Sequence, residues 1–107
     1  MECGTVANPQ TVGRKMEGAV VFALSAVLHG RIDVRDGVVQ QRNFPDQPLL
    51  SLKQAPRVET WIVPSERSPA GVGEPGVPPL APAVANGLFA LTHRRMRRLP
   101  LSLGADA

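Results

Sequence analysis

The stretch Pro64-Ser-Glu-Arg-Ser-Pro-Ala-Gly-Val-Gly-Glu-Pro-Gly-Val-Pro-Pro79 decides how the rest of the chain is read. Five prolines and three glycines fall in these sixteen positions. No helix interior or central strand tolerates that density, because each proline removes a backbone donor and fixes one angle. Residues 64–79 are therefore expected to form a long loop, and long loops inside compact domains tend to carry function. The prolines make it a stiff loop. At its centre stand Gly71, Val72, Gly73, Glu74, Pro75 and Gly76. A carboxylate flanked by glycines can sit close to a ligand, since no side chain blocks the approach. A general base needs such placement, because proton transfer requires heavy atoms about 2.6–3.2 Å apart. The competing reading is a solvated glutamate on a surface loop, where most loop residues lie.

On the C-terminal side of the loop, Val84, Leu88 and Leu91 recur at helical spacing, with Ala85 and Phe89 beside them. The pattern predicts a helix from Pro82 to about Arg97, with Pro82 in the first turn. Arg94, Arg95, Arg97 and Arg98 then fall in the last turn and just beyond, where cations oppose the helix dipole. On the N-terminal side, Arg57 to Val63 alternates: Val58, Thr60 and Ile62 on one face, Glu59, Trp61 and Val63 on the other. That predicts a strand ended by Pro64, with Trp61 in packing. Asp36-Gly37 between Val34 and Val38 signals a β-hairpin. Met16 to His29 reads as a helix that is apolar nearly all round, ending at Gly30. Residues 1–15 read as an irregular lead-in with a turn at Asn8-Pro9. The expected fold class is α+β: two helices, a hairpin, one further strand and the rigid loop, in a single partial domain over residues 1–107.

The chain has 107 residues and a formal charge of +3. The four arginines between 94 and 98 account for the excess, because the other eight basic residues face nine acidic ones. The basicity is one short run, not a property of the domain. With three Phe, one Trp and no Tyr, the chain also lacks stacking platforms for single-stranded nucleic acid. A small module using Arg94 to Arg98 on nucleic acid or an anionic surface is nevertheless the alternative of a different class. The lone Cys3 excludes an internal disulfide and a cysteine-only zinc site. The longest apolar run, Ala19 to Leu28, is half the length a membrane-spanning helix needs, about 20 residues. It also lacks the early position and basic flank of a leader, so the compartment stays open. His29 reads as a capping or interface residue, and His93 has no partner at metal-ligand spacing.

The segment GVGEPGVPPLAPAVANGLFALTHRRMRRLPL, residues 71–101, resembles the C-terminal end of the molybdenum-binding large subunits of the xanthine dehydrogenase family. The isoquinoline 1-oxidoreductase-like branch is the nearest in pattern. CGTVANPQTV, MEGAVVFALSAVLHGRIDVRDGVVQQRNFPDQP and APRVETWIVPS fit in the same order, so the resemblance runs from Cys3 to Leu101. It implies that the chain is the tail portion of a larger molybdopterin-binding domain, either a truncated product or one part of a split subunit, and inactive alone. It implies a molybdenum–pterin dinucleotide cofactor, in the cytosine form, held mostly by other segments. Glu74 would be the active-site base in the oxidation of N-heteroaromatic or aldehyde substrates. Gly71, Val72, Gly73, Asn8 and Lys15 would meet the cofactor, and the residues themselves supply no direct metal ligand. The partners implied are the remainder of the large subunit and an iron–sulfur small subunit. Two positions depart from the pattern: Lys15 stands where the family usually has Gln, and Pro45 where near relatives tend to carry His.

Overall fold

The computed structural model describes residues 1–102, in the order helix, hairpin, short 3-10 turn and second helix. Helix α1 runs Pro9–His29, seven residues earlier than its apolar periodicity indicates. The Asn8-Pro9 pair is thus a helix start and not a turn. The Asn8 side chain accepts a hydrogen bond from the Thr11 amide at 3.1 Å, and Pro9 fills the first helical position, where no donor is needed. Gly30 ends the helix and its amide donates to the Ala26 carbonyl at 2.8 Å. A side chain here would lie 2.6 Å from that carbonyl oxygen, so close packing, and not a left-handed angle, calls for glycine.

Strands β1 (Val34–Arg35) and β2 (Val38–Val39) pair antiparallel, with Val34 opposite Val39. Asp36 and Gly37 both adopt positive φ, 51° and 74°, the pairing that a two-residue turn between right-twisted strands requires. A 3-10 turn, Phe44–Asp46, follows, closed by the Asn43 and Asp46 side chains in a reciprocal cap. Residues 57–63 form no strand. The alternation survives as burial: Val58, Thr60 and Ile62 are half-buried, while Glu59, Trp61 and Val63 are exposed. Yet among the described residues the backbone of the segment pairs only with Met1, whose amino group donates to the Trp61 carbonyl and whose carbonyl accepts from the Val63 amide. An alternating segment becomes a strand only when a neighbour supplies a ladder. Trp61 is 79% exposed, so it is no part of the core formed by the described residues.

Helix α2 spans Leu80–Thr92, five residues shorter at its C-terminal end than the stripe suggests. His93 stops it in the left-handed conformation, φ 56°, with its ring edge-on to Phe89 at 6.1 Å. The arginine run therefore lies beyond the helix. The core sits where α1 meets α2 and the following segment: Val27, Met96 and Leu101 are buried, with Leu28, Val84 and Leu88 packed around them. The Leu101 amide donates to the Val27 carbonyl at 2.8 Å. Ser25, buried on α1, donates to the Val21 carbonyl and accepts from the Leu50 amide at 3.1 Å, tying the middle of the chain to the helix.

Two magnitudes describe the packing. The radius of gyration is 16.9 Å, where a compact domain of this length has roughly 13 Å. The accessible surface is 8299 Å², where a folded monomer of 11.4 kDa exposes about 5,800 Å². The excess of roughly 2,500 Å² is the scale of a large obligate interface. Phe22, Phe44, Leu49, Leu52, Trp61 and Leu91 are among the large apolar side chains left exposed.

Candidate active site

The loop is anchored at both ends by short-range fits. At its N-terminal base the Thr5 amide donates to the Arg67 carbonyl and the Ala70 amide to the Cys3 carbonyl, each at 2.9 Å. Gly4 makes this approach possible, with φ +72° and its α-carbon facing the Ser68 backbone. The Ser65 side chain and the Gly4 amide both bond the Glu2 carboxylate and hold its pKa below the ordinary value. At the other end Gly76 is buried against α1, where an added Cβ would lie 3.1 Å from Met16 Cε and 3.2 Å from Ala19 Cβ. Between them the chain turns: the Val77 amide donates to the Glu74 carbonyl at 3.0 Å.

This turn sets Glu74 on one wall of an open cleft of about 260 Å³. The facing wall is one side of α1, with Arg14, Lys15, Gly18 and Phe22; Gly73 and Val77 line the loop side. The Glu74 side chain is exposed and makes no hydrogen bond or ion pair with any described residue. A carboxylate spent on no internal contact is free to act on a ligand.

Of the residues singled out in the sequence, Glu74, Gly73 and Lys15 share this cleft. Asn8 and Val72 line a second one, about 320 Å³, together with Cys3, Thr11, Val12 and Pro69. Gly71 opens to solvent. At Gly71 and Gly73 a Cβ would meet no described residue within 4 Å, and neither has positive φ. The fold of this chain thus gives neither position a reason to be glycine. Sequence reasoning missed Gly76 as the clamp behind the cleft, and Arg14, Gly18, Ala19, Phe22 and Val77 in its lining. The signal was present in α1, where Arg14, Gly18 and Phe22 recur every four residues and so share a face.

Asn8 has a defined structural task as the N-cap. Asn8→Ala is expected to lower stability by about 1 kcal/mol, read by thermal unfolding. A loss confined to cap strength in cofactor-free protein, and growing when cofactor is bound, would separate a ligand contact from the cap. The arginine run is not a continuous charged face: Met96 in its middle is buried in the core and the Arg95 guanidinium lies over the Phe89 ring at 3.7 Å. No group of three or more His, Cys, Asp or Glu able to hold a metal occurs among the described residues. No helix there is long and apolar enough to cross a membrane.

No protein-family model matches the sequence. Among curated proteins, the beta chain of isoquinoline 1-oxidoreductase from Brevundimonas diminuta is 36% identical over 94% of this chain. The chain fits one segment of that large subunit. It spans 13% of that relative's length. The membrane-bound aldehyde dehydrogenase [pyrroloquinoline-quinone] of Gluconacetobacter polyoxogenes is 31% identical, again over 94% of this chain and 13% of its own. A nicotinate dehydrogenase subunit from Pseudomonas putida is 28% identical over 94% of this chain and 9% of its own. A solved Cu,Mo-CO dehydrogenase has the same fold over 89% of this chain and 14% of its own, with a TM-score of 0.73 at 23% identity. The α+β arrangement is thus a portion of a larger domain, which accounts for the surplus surface.

Proposed function

We propose that this chain is the part of a molybdenum hydroxylase large subunit that carries the active-site base, Glu74, for oxidation of N-heteroaromatic or aldehyde substrates. The observation that carries the reading is the unpartnered Glu74 carboxylate, held on a turn clamped by Gly76 and facing a cleft with two cations. The relatives' names support the substrate classes: two are named for the nitrogen heteroaromatics isoquinoline and nicotinate, one for aldehydes. The fold neighbour is named for copper and molybdenum.

The donor set fits the outer contacts of an anionic cofactor rather than a metal site. Lys15 and Gly73 would meet the molybdenum–pterin dinucleotide, in its cytosine form, from the Glu74 cleft, and Asn8, Gly71 and Val72 from the other side of the loop. Lys15 can meet phosphate as a point charge, and the glycines leave room for close approach. When bound, the cofactor supplies the two-electron acceptor. Glu74 accepts, on a carboxylate oxygen, the proton of the water-derived oxygen that adds to the electron-poor substrate carbon. The loop anchors keep that carboxylate in place while the substrate gives up two electrons and a second proton. The electrons pass to the iron–sulfur partner subunit.

Two measurements test this reading. In the complete large subunit, metal analysis is expected to find stoichiometric molybdenum and no pyrroloquinoline quinone; the opposite result would overturn it. The isolated 107-residue chain is expected to retain no molybdenum, because one side of a cleft cannot enclose a dinucleotide cofactor. Stoichiometric molybdenum in the isolated chain would defeat that expectation. The catalytic test, on Glu74 itself, opens the Discussion.

A further inference from the structure

Arg14 lies in the same cleft as Glu74, yet the proposed proton transfer gives it no task. Its guanidinium makes no hydrogen bond or ion pair with any described residue. Arg14 and Glu74 line one cleft without meeting, so they stand apart across it. Phe22, two turns further along α1, shows 65% of its surface and lines the same space. The cleft therefore presents a planar cation, an aromatic face and a free carboxylate around about 260 Å³. A cavity of roughly 150 Å³ holds benzene, so the space admits one ring with a small substituent.

We propose that Arg14 binds the carboxylate of the substrate while the substrate ring lies against Phe22, making the preferred substrates one-ring aromatic acids. The inference rests on the reading of Glu74 as the base and adds the substrate class to it. With Lys15 set against the cofactor, Arg14 is the cation of the cleft that remains for a substrate anion. Arginine rather than lysine takes the carboxylate: its planar fork matches two oxygens at once, whereas the lysine ammonium is a point charge. The ring of Phe22 separates an aromatic acid from a phosphate, which has no flat apolar face to place there.

The test uses the complete large subunit with its cofactor. Arg14→Gln is expected to lower the ratio of kcat/KM for ring-carboxylated over uncarboxylated aromatic aldehydes by roughly 10- to 100-fold, the weight of a charge-assisted hydrogen bond. The loss is expected in KM. Arg14→Lys keeps the charge without the fork and should recover part of the ratio. Binding of benzoate, measured by calorimetry without turnover, should weaken by the same factor in Arg14→Gln. An unchanged ratio, or an equal loss on both substrate types, overturns the proposal. So does inorganic phosphate binding through Arg14 more tightly than benzoate, which would assign the residue to a phosphate group. The two readings fail separately. If Glu74→Gln turns over normally while benzoate still depends on Arg14, the base assignment falls and the carboxylate site stands.

Discussion

Glu74→Gln in the complete large subunit is expected to lower kcat by roughly two to four orders of magnitude, the usual share of a positioned general base. That is about 3–5 kcal/mol on the barrier. The substitution is nearly isosteric, and the carboxylate it replaces bonds no described residue, so no internal donor is stranded. Thermal unfolding and cofactor content should therefore match the parent. A base acts in the chemical step, so the loss should fall on kcat rather than on KM. Glu74→Asp keeps the charge but draws it back by about one bond length, 1.5 Å. Proton transfer tolerates little of that, and its rate should lie between those of the parent and the glutamine variant. Turnover unchanged in Glu74→Gln, with fold and cofactor intact, would remove the residue from the reaction.

Much of this site is legible in the sequence because its signals are local. Proline density between 64 and 79 fixes a loop whatever surrounds it. Asp36-Gly37 requires no more than its own backbone preferences to make the hairpin. What escaped the sequence depends on partners elsewhere. The Asn8-Pro9 pair serves equally as a turn or as a cap and first helical residue; only continuation of the helix through Gly13, a residue that disfavours helix, decides between them. The end of α2 depends on His93 turning left-handed, which no apolar period announces. The segment 57–63 keeps a two-faced burial pattern but has no edge to join. Trp61, Leu52 and Phe44 follow the same logic, their composition being that of an interior whose other half this chain does not contain. The family resemblance, which implied the tail portion of a larger domain, agrees with that outcome.

The positions of the glycines separate structure from chemistry. Gly4→Ala is expected to destabilise the protein by about 3–4 kcal/mol, a large part of the 5–15 kcal/mol that domains possess. Two costs combine. A side chain at φ +72° costs roughly 1–2 kcal/mol for an L residue. Its Cβ would also stand 2.2 Å from the Ser68 carbonyl oxygen and 2.9 Å from that of Arg67. These are backbone atoms and cannot swing aside as a side chain can. The two segments must separate, and the Thr5 to Arg67 and Ala70 to Cys3 hydrogen bonds go with them, each worth about 1 kcal/mol net. Denaturant unfolding measures the total, and hydrogen exchange at the Thr5 and Ala70 amides locates it. Gly71→Ala is the control. Its Cβ meets no described residue and its backbone is not left-handed, so stability should stay within about 0.5 kcal/mol. If Gly71 instead abuts the cofactor, that variant should lose cofactor content while unfolding normally. A Gly4→Ala protein as stable as the parent, with both amides still protected, would show that the N-terminal segment does not anchor the loop that carries Glu74.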